Sequence, residues 1–376
     1  MSKEDASSDG GTATTTPHYF IGIEGGATKT IAVLIDNKRN LIAEASTSAT
    51  NLWITGFAES ARLINGLIDE LSKKLPENGS LTATGMSLSG AGQSESRNNF
   101  IAELKKLGVD ADKVLVEEDI LAPVFAVSNR GGVNMIVGTG SNCVVYNPNG
   151  TSATVGGRGH LLGDEASAYY IAHLAIKTVL DNSDGYCKAP HETDGVRKAL
   201  FAYLGLSHLE DVYAYFYKDF VKEKIAGFAV EVAKLADADD PLAKHLLSRA
   251  GFEIGKHLVA IRPHCDSAIV RNGEMKVICT GSVFKSWKHL KPGFMDAVKP
   301  KRGPFIQQKI VQAITRTKPP AGLRDVQKVT LVRLKGHAAV GAAVWAARRK
   351  KINVTVSKDQ ESNIQVIDTV VLTGDA

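Results

Sequence analysis

VNMIVGTGSNCVVYNPNGTSATVGG, residues 133–157, consists of short apolar, β-branched runs separated by a glycine-rich turn and an Asn-Pro-Asn-Gly turn. Short runs of this kind between turn residues predict β-strands. The earlier stretch Phe20–Ser46 has the same order of strand, glycine-rich turn, strand, turn and strand, although few residues are identical. A pattern that occurs twice indicates a repeated structural unit. The sequence therefore predicts two similar domains, each beginning with a glycine-rich hairpin.

Helix and strand patterns alternate after the first hairpin. Apolar residues at helical spacing predict an amphipathic helix over 57–75 and a second one around 100–107. The runs ATGMSLSG (83–90) and KVLVEED (113–119) each predict a strand. Three antiparallel strands followed by alternating helices and strands predict an α/β layer fold with a mixed sheet.

Composition and charge are those of an ordinary globular chain. Its 376 residues exceed the usual size of one domain, and 44% hydrophobic against 23% charged residues permit a sizeable core. The formal net charge of +5 is mild and gives no reason to expect a nucleic-acid partner. The four cysteines are scattered, without the spacing of a metal finger or a disulfide framework.

The first residues, MSKEDASSDGGTATTTPH, lack the apolar segment of a secretory signal and predict a disordered polar extension. No apolar run in the sequence approaches the roughly 20 residues of a membrane span. These features predict a cytoplasmic protein without a membrane partner. Two basic clusters, Lys299–Gly303 and Arg348–Lys351, are interpreted as solvated surface charge.

The turn GTGSN (Gly138–Asn142) matches neither common nucleotide-binding loop. A Rossmann fingerprint needs a third glycine where Cys143 stands and a helix after it, whereas CVVY predicts a strand. The first hairpin, EGGATKT (Glu24–Thr30), also lacks the Walker A spacing. Backbone N–H groups in such turns still form an anion-binding concavity. Equivalent hairpins in two repeated domains therefore predict that a polyphosphate is bound from both sides, and phosphoryl transfer is the leading functional interpretation.

Asp119 is the candidate for the catalytic carboxylate. Phosphoryl transfer to an alcohol needs charge neutralisation by Mg²⁺ and a carboxylate that orients the attacking hydroxyl. Asp119 ends an apolar strand and precedes an apolar helix, which suits that role, and a helix N-cap is an equally good interpretation. Glu117 and Glu118 compete for the role, although strand alternation directs at most one of them alongside Asp119.

The segment GGRGHLLGDEASAYY (Gly156–Tyr170) is a second dense polar region. Asp164 and Glu165 are either an N-cap and a first-turn acid of the following helix or, given the preceding glycines, groups exposed to a ligand. His160 is interpreted as a structural hydrogen-bonding residue rather than a catalyst.

The segment TNLWITG (Thr50–Gly56) predicts a loop. Its Trp53 is either a core residue or an exposed aromatic face. An aromatic face beside the Asn51 amide would suit a sugar, so both interpretations remain open.

Taken together, these motifs resemble the eukaryotic N-acetylglucosamine kinases of the actin-like ATPase superfamily, in the BadF/BadG-type branch that also contains ATPase subunits of benzoyl-CoA reductase. The resemblance extends from Phe20 to about Arg348. GTGS alone is shared across the superfamily, whereas TN-x-W together with GDE-x-SAY-x-IAH is specific to this branch. The motifs that carry the resemblance are GIEGGATKT (22–30), TNLWITG (50–56), SLSGAG (87–92), GTGSNC (138–143), GGRGHLLGDEASAYYIAH (156–173), IAGFA (225–229) and CTGSVFKSW (279–287).

The resemblance implies two actin-like (ribonuclease H-like) ATPase domains with mixed sheets around a central cleft. The N-terminal domain would cover 18–130 and be joined by the C-terminal segment 346–376, after a disordered extension over 1–17. The C-terminal domain would cover 131–345 and contain a basic insertion at 299–328. Dimers are usual in the family, so a homodimer is expected.

The resemblance also implies sites for ATP with Mg²⁺ and for the sugar. Asp119 resembles the carboxylate that takes the proton from the sugar 6-hydroxyl, and Glu24 would contact Mg²⁺ indirectly, so that no residue is expected to ligate the metal. The expected nucleotide-binding residues are Gly25, Gly26, Thr28, Gly138, Thr139, Gly140, Gly227, Gly281 and Ser282. The expected sugar-binding residues are Asn51, Trp53, Ser141, Asn142, Gly157, Arg158, Gly159 and Asp164.

The expected reaction is therefore phosphorylation of N-acetyl-D-glucosamine at its 6-hydroxyl in amino-sugar salvage. Bulky Ile120 and Leu121 follow Asp119 where small residues are usual, and Ala27 and Arg158 stand where Gly and Trp are expected. Such changes would retune the sugar preference. The alternatives are a kinase for glucosamine or glucose, and a catalytically impaired protein that binds sugar or nucleotide.

Overall fold

The computed structural model describes residues 17–26, 29–128, 130–299, 323, 325–352, 354 and 364–372. The described residues within Met1–Asp119 and Ala342–Ser357 form one compact unit, called here the first unit. Those within Ile120–Gly341 and Lys358–Ala376 form the second unit. Among the helices that the structure describes, none has the length and apolar character needed to cross a membrane.

The first unit is built on a five-stranded mixed sheet. It contains β1 (His18–Gly25), β2 (Lys29–Asp36), β3 (Leu41–Ser48), α1 (Phe57–Ser72), β4 (Ser80–Leu88), α2 (Ser94–Lys106), β5 (Val114–Glu118) and most of α10 (Ala339–Arg349). The strand order is β3-β2-β1-β4-β5, with β1 to β3 antiparallel and β4 and β5 parallel to β1. Helix α1 buries an apolar stripe at helical spacing in the core of this unit, which is why its pattern was readable in the sequence.

The second unit contains a seven-stranded sheet and most of the helices that the structure describes. Its elements are α3 (Leu121–Val127), β6 (Gly132–Val137), β7 (Ser141–Tyr146), β8 (Ser152–Gly156), α4 (Ala168–Ser183), α5 (Asp194–Leu204), α6 (Val212–Tyr217), α7 (Lys222–Asp237), α8 (Pro241–Ile261), β9 (Val270–Arg271), β10 (Glu274–Thr280), α9 (Trp287–Val298), β11 (Lys328–Leu334) and β12 (Ile364–Val371). The order is β12-β11-β10-β6-β7-β8, and β9 pairs with β10. Strands β10 and β11 run parallel to β6, whereas β7, β8 and β12 are antiparallel to their neighbours.

The repeat predicted from the sequence is present in the two sheets. The order β8-β7-β6-β10-β11 in the second unit reproduces β3-β2-β1-β4-β5 in the first. The predicted α/β class with two mixed sheets is therefore confirmed. In each unit the strand that carries the glycine-rich turn is central and has a parallel neighbour, so the turn lies at an edge where strand carboxyl ends meet.

The boundaries of the units differ from those predicted. Helix α3 belongs to the second unit, so the division lies after Asp119 rather than after residue 130. The reason is packing: the Asn134 amide donates to the Ile120 carbonyl at 3.3 Å, and a Cβ added to Gly341 would lie 1.8 Å from the Ala122 carbonyl oxygen.

The prediction that 346–376 joins the N-terminal domain is wrong for its last part. Strand β12 pairs antiparallel with β11, so its backbone hydrogen bonds place it in the second unit. Residues 1–16 of the predicted extension, and 300–322 and 324 of the predicted basic insertion, lie outside the described residues.

Candidate active site

Ser89 joins the carboxyl ends of the parallel strands in the first unit. Its Oγ donates a hydrogen bond to Asp119 Oδ2. Its backbone N–H donates to the Gly25 carbonyl at 2.9 Å, and its carbonyl accepts from the Leu52 N–H at 3.0 Å. The structure thus brings together the glycine turn after β1, the loop that carries Trp53, and Asp119. Sequence reasoning gave Ser89 no role, although the SLSGAG motif contained the signal.

Asp119 is not a helix N-cap. Helix α3 begins at Leu121, and its N-cap position is Ile120, which makes no side-chain cap. Burial raises the pKa of the Asp119 carboxyl, and the hydrogen bond from Ser89 opposes that rise. Leu121 is 2% exposed, so its bulk is accommodated in the interior. A desolvated carboxylate held by one hydroxyl is well suited to accept a proton from a substrate alcohol.

Other carboxylates surround Asp119 with different environments. Burial, together with the charge of Asp119, raises the pKa of Glu24 to about 7. Burial and the charges of Asp119 and Glu117 raise the pKa of Glu118, while Arg97 opposes that rise. Glu117 itself lies 3.2 Å from Arg97 Nη1 in an ion pair. Glu117 is therefore ion-paired with Arg97, whereas burial and repulsion between carboxylates raise the pKa values of Glu24 and Glu118.

The loop around Trp53 presents its aromatic ring to solvent. Trp53 is 62% exposed, so the core interpretation is wrong. Asn51 Oδ1 accepts the N–H groups of Trp53 at 2.9 Å and Ile54 at 3.2 Å, which shapes the turn. The ring lies against Gly90, where an added Cβ would be 2.6 Å from Trp53 Cδ1. Within the described residues the Asn51 amide nitrogen has no recorded partner and is available to a ligand.

The first glycine turn is anchored on both sides. The Gly26 carbonyl accepts the Thr50 N–H at 3.3 Å, and the hydroxyls of Thr30 and Thr50 lie 2.8 Å apart in the interior. These contacts tie the turn to the loop before Asn51. Thr28, the residue expected at the nucleotide phosphate, lies outside the described residues.

The corresponding turn in the second unit is bound to the start of α4. The Gly138 N–H donates to the Gly140 carbonyl at 2.9 Å and closes the turn. The N–H groups of Ala168 and Tyr169 donate to the carbonyls of Gly138 and Thr139 at 2.8 and 3.4 Å. The first amides of the helix are thereby satisfied by the turn, which fixes its conformation.

Asp164 is a buried carboxylate, and neither it nor Glu165 caps a helix. The N-cap of α4 is Ser167, whose Oγ accepts the Tyr170 N–H at 3.0 Å. Asp164 is 7% exposed and accepts the Ser141 N–H at 3.3 Å. The sequence interpretation of these acids as capping residues is therefore wrong.

Ser141 and Lys222 complete the surroundings of Asp164. The Ser141 hydroxyl donates to the Glu165 carbonyl at 2.6 Å, so its hydrogen is used within the protein. Lys222 Nζ lies 2.7 Å from Asp164 Oδ2. Sequence reasoning did not identify Lys222, because it lies 58 residues from its partner and in no motif.

Asn142 holds an acceptor that the protein leaves unused. Its Oδ1 is buried and has no hydrogen-bond partner within the described residues. Gly157, at φ 69°, brings its backbone so close that an added Cβ would lie 2.8 Å from Asn142 Cγ. Arg158 is exposed, and its N–H donates to the Gly163 carbonyl at 3.1 Å, while Gly159 has φ 82°. A buried acceptor without a partner indicates a ligand that donates a hydrogen bond there.

His160 makes aromatic contacts. Its ring is stacked on Phe220 at 4.9 Å between centroids and meets Tyr169 edge-on at 5.1 Å. His160 therefore packs the turn against neighbouring elements. Its role is structural, as predicted, but it acts through ring contacts rather than hydrogen bonds.

The remaining residues predicted to bind the nucleotide lie in two places. Gly281, at φ 107°, directly follows β10 beside the glycine turn, and an added Cβ would lie 2.2 Å from the Val137 carbonyl oxygen. Ser282 follows it and is exposed. Gly227 lies in α7, where an added Cβ would be 2.1 Å from the Tyr203 hydroxyl oxygen. The Tyr203 hydroxyl therefore leaves room only for a glycine at position 227. Contact between Gly227 and a nucleotide stays a prediction.

Comparison with known proteins identifies the family of the chain and several relatives. The model of the BadF/BadG/BcrA/BcrD ATPase family matches residues 21–315. An N-acetylmuramic acid/N-acetylglucosamine kinase of Clostridium acetobutylicum is 27% identical over 278 residues, which are 73% of this chain and 89% of that protein. An N-acetyl-D-glucosamine kinase of Dictyostelium discoideum is 28% identical over 175 residues, which are 44% of this chain and 55% of that protein.

Solved structures support the fold. A crystal structure of a Chromobacterium violaceum protein superposes with a TM-score of 0.58 at 22% identity, covering 87% of this chain and 98% of that one. The family model matches well over half of the chain, and the chain belongs to the BadF/BadG/BcrA/BcrD ATPase family.

Proposed function

We propose that this protein transfers the γ-phosphoryl group of ATP to the 6-hydroxyl of N-acetyl-D-glucosamine and forms N-acetylglucosamine 6-phosphate in amino-sugar salvage. The observation that carries the proposal is the environment of Asp119. This carboxylate directly follows β5, is held by Ser89, and has a pKa raised by burial. Membership of an ATPase family supports the use of ATP, and the names of the Clostridium and Dictyostelium relatives support the sugar.

Asp119 acts as the general base of this reaction. It accepts the proton of the 6-hydroxyl as that oxygen attacks the γ-phosphorus, and the bond between phosphorus and the ADP oxygen breaks. Positioned general bases contribute about 10² to 10⁴ in rate. The remaining acceleration comes from holding the two substrates in line and neutralising charge.

The glycine turns are the proposed phosphate-binding elements. Gly25, Gly26 and Thr28 in the first turn and Gly138–Gly140 in the second offer backbone N–H groups, and the Thr139 hydroxyl adds a donor. Gly227 and the Gly281–Ser282 turn would line the adenosine.

Mg²⁺ fits beside the carboxylates of the first unit. The charge of Asp119 helps to raise the pKa of Glu24 to about 7, and a divalent cation near Glu24 would relieve that repulsion. No group of three or more His, Cys, Asp or Glu side chains in the described part of the chain forms a metal site. Mg²⁺ would be held mainly by ATP oxygens and water, with Glu24 contacting it through water, and would neutralise phosphate charge.

The sugar-binding set combines an aromatic face with buried polar groups. Trp53 and the Asn51 amide lie in the first unit. The unused Asn142 acceptor suits a hydroxyl or acetamido N–H of the sugar. Asp164 accepts further sugar hydroxyls, and Ser141 and the turn Gly157–Gly159 line the same region of the second unit.

The proposed function is tested by ADP release with N-acetylglucosamine, glucosamine, glucose and no sugar. We expect turnover with N-acetylglucosamine above the other sugars, and a loss of about 10² to 10⁴ in kcat for Asp119→Asn. Asp112→Asn, an exposed aspartate just before β5, is the matched control and should keep full activity.

Two results would change the proposal. A preference for glucosamine or glucose would reassign the acceptor. ADP release that ignores sugar and survives Asp119→Asn would overturn the kinase proposal, whereas no turnover while sugar or ATP binds would favour the impaired binding protein. Light scattering at increasing concentration tests the proposed homodimer.

A further inference from the structure

Lys222, the first residue of α7, reaches into the surroundings of a buried carboxylate. Its ammonium lies 2.7 Å from Asp164 Oδ2, and the two side chains are 25% and 6% exposed. Fixing a long lysine side chain costs rotamer entropy, and the desolvation of a buried ion pair offsets most of its attraction. The ion pair therefore contributes little to stability, but it fixes the position of the Asp164 oxygens.

The other side of Asp164 is fixed by the backbone. Oδ1 accepts the Ser141 N–H at 3.3 Å. A Cβ added to Gly140 would lie 3.1 Å from both carboxylate oxygens, so the glycine turn packs directly against this group. The carboxylate is thus held between β7, the glycine turn and α7, and each oxygen keeps a lone pair for another donor.

A second contact ties the start of α7 to the same region. Phe220, two residues before Lys222, stacks on His160 with 4.9 Å between ring centroids and 24° between ring planes. His160 belongs to the turn that contains Gly157 and Arg158. The start of α7 is consequently held against that turn by a contact other than the ion pair.

We infer that Lys222 is a positioning residue for the acceptor sugar, which orients Asp164 so that its carboxylate accepts hydrogen bonds from the sugar hydroxyls. The inference rests on the proposed function. Among the described residues, Asp164 is the only hydrogen-bond acceptor of Lys222 Nζ, so an effect of Lys222 on the sugar is expected to pass through that carboxylate.

The test is the initial rate of ADP release at varied N-acetylglucosamine and varied ATP for Lys222→Met, Lys222→Arg and wild type. We expect Lys222→Met to raise the KM for the sugar about 10- to 100-fold, as for loss of a charged hydrogen bond, and to leave the KM for ATP within about twofold. Lys222→Arg should restore part of the loss. Lys218→Met, an exposed lysine just before this segment, is the matched control and should behave as wild type.

A double-mutant cycle distinguishes positioning from general damage. If Lys222 acts through Asp164, Lys222→Met should add little to the sugar KM of Asp164→Asn. Additive effects, equal rises in both KM values, or a wild-type sugar KM in a folded Lys222→Met variant would each overturn the inference. If Lys222→Met does not fold, Lys222→Arg decides the question by its sugar KM alone. Wild-type protein without sugar-dependent ADP release would instead overturn the proposed function, and the inference with it.

Discussion

Ser89 shows how one small side chain organises a site. Its hydroxyl, N–H and carbonyl each bind a different segment: Asp119, the turn at Gly25, and the loop at Leu52. Its backbone bonds would survive most substitutions, whereas the bond to Asp119 depends on the hydroxyl. A substitution that removes the Ser89 hydroxyl should therefore change the orientation of Asp119 while the strands around it still fold.

We predict that Ser89→Ala lowers kcat about tenfold and moves the acidic limb of the pH–rate profile to higher pH. The hydrogen bond from Ser89 lowers the pKa of Asp119, so its loss lets the raising effect of burial act unopposed. Rates measured from pH 5 to 9 check this. Ser89→Thr should keep the wild-type profile, and Ser80→Ala, at the exposed start of β4, should change nothing. An unmoved acidic limb in Ser89→Ala would contradict the prediction.

The raised pKa of Glu24 makes the free energy of unfolding depend on pH. Its pKa rises from 4.5 to about 7 on folding, so between these values the native state keeps a proton that the unfolded state has lost. The stability that this group contributes is fully present below pH 4.5 and is lost as the pH rises to about 7. Because one pKa unit corresponds to about 1.4 kcal/mol, the free energy of unfolding falls by about 3 kcal/mol over this range.

We therefore predict that, without divalent cations, Glu24→Gln stabilises the protein at pH 8 relative to wild type and has little effect near pH 4.5. Urea unfolding at the two pH values measures the difference. Glu77→Gln, at an exposed turn, is the control. Equal effects of Glu24→Gln at both pH values would show that the carboxyl is not buried as described.

At the scale of elements, the start of α4 fixes the glycine turn of the second unit. The Ser167 hydroxyl caps the helix, and the next two N–H groups bind the turn carbonyls. We predict that Ser167→Ala lowers the free energy of unfolding by about 1 kcal/mol, and that Ser167→Asp restores it, since either side chain can accept the Tyr170 N–H.

Urea unfolding checks the prediction for Ser167. Ser183→Ala, at the exposed C-terminal end of the same helix, should be neutral. If Ser167→Ala were as stable as wild type, the turn alone would be holding the start of the helix.

At the scale of the whole molecule, neither unit is one continuous piece of chain. The first unit includes the described residues within Ala342–Ser357, which follow most of the second unit along the sequence. A Cβ added to Gly85 of β4 would lie 2.0 Å from the Ala342 carbonyl oxygen, so α10 packs directly on that strand. Part of the core of the first unit is thus supplied from the far end of the sequence.

We predict that a chain ending at residue 341 loses the cooperative unfolding of the first unit, because β4 then exposes the surface that α10 covers. Limited proteolysis with mass spectrometry checks this, with cleavage expected in 17–119. Gly85→Ala should have the same effect in the full chain, since its Cβ would push α10 away. Protection of 17–119 in the truncated chain would contradict the prediction.

Patterns read along the sequence located the repeated hairpins, α1, and Asp119 at a strand end. They did not locate β12 in the second unit, because strand pairing partners are set by hydrogen bonds between distant segments. One of the two interpretations left open for Asp164 and Glu165 began α4 at Asp164, whereas the N-cap residue of α4 is Ser167, three residues later. Several residues in succession can act as the N-cap, so the sequence alone does not determine where the helix begins, whereas the tertiary contacts do.

The sequence by itself determined the repeated topology and the residue types at the strand ends, because the period of apolar residues and the chemistry of turns act over a few neighbouring positions. Only the tertiary structure decided which groups meet. Ser89 and Asp119 are 30 residues apart, and Lys222 and Asp164 are 58 apart. Such pairs depend on the register and packing of separate elements, and burial in that packing, rather than residue type, gives Glu24 and Asp119 their raised pKa values.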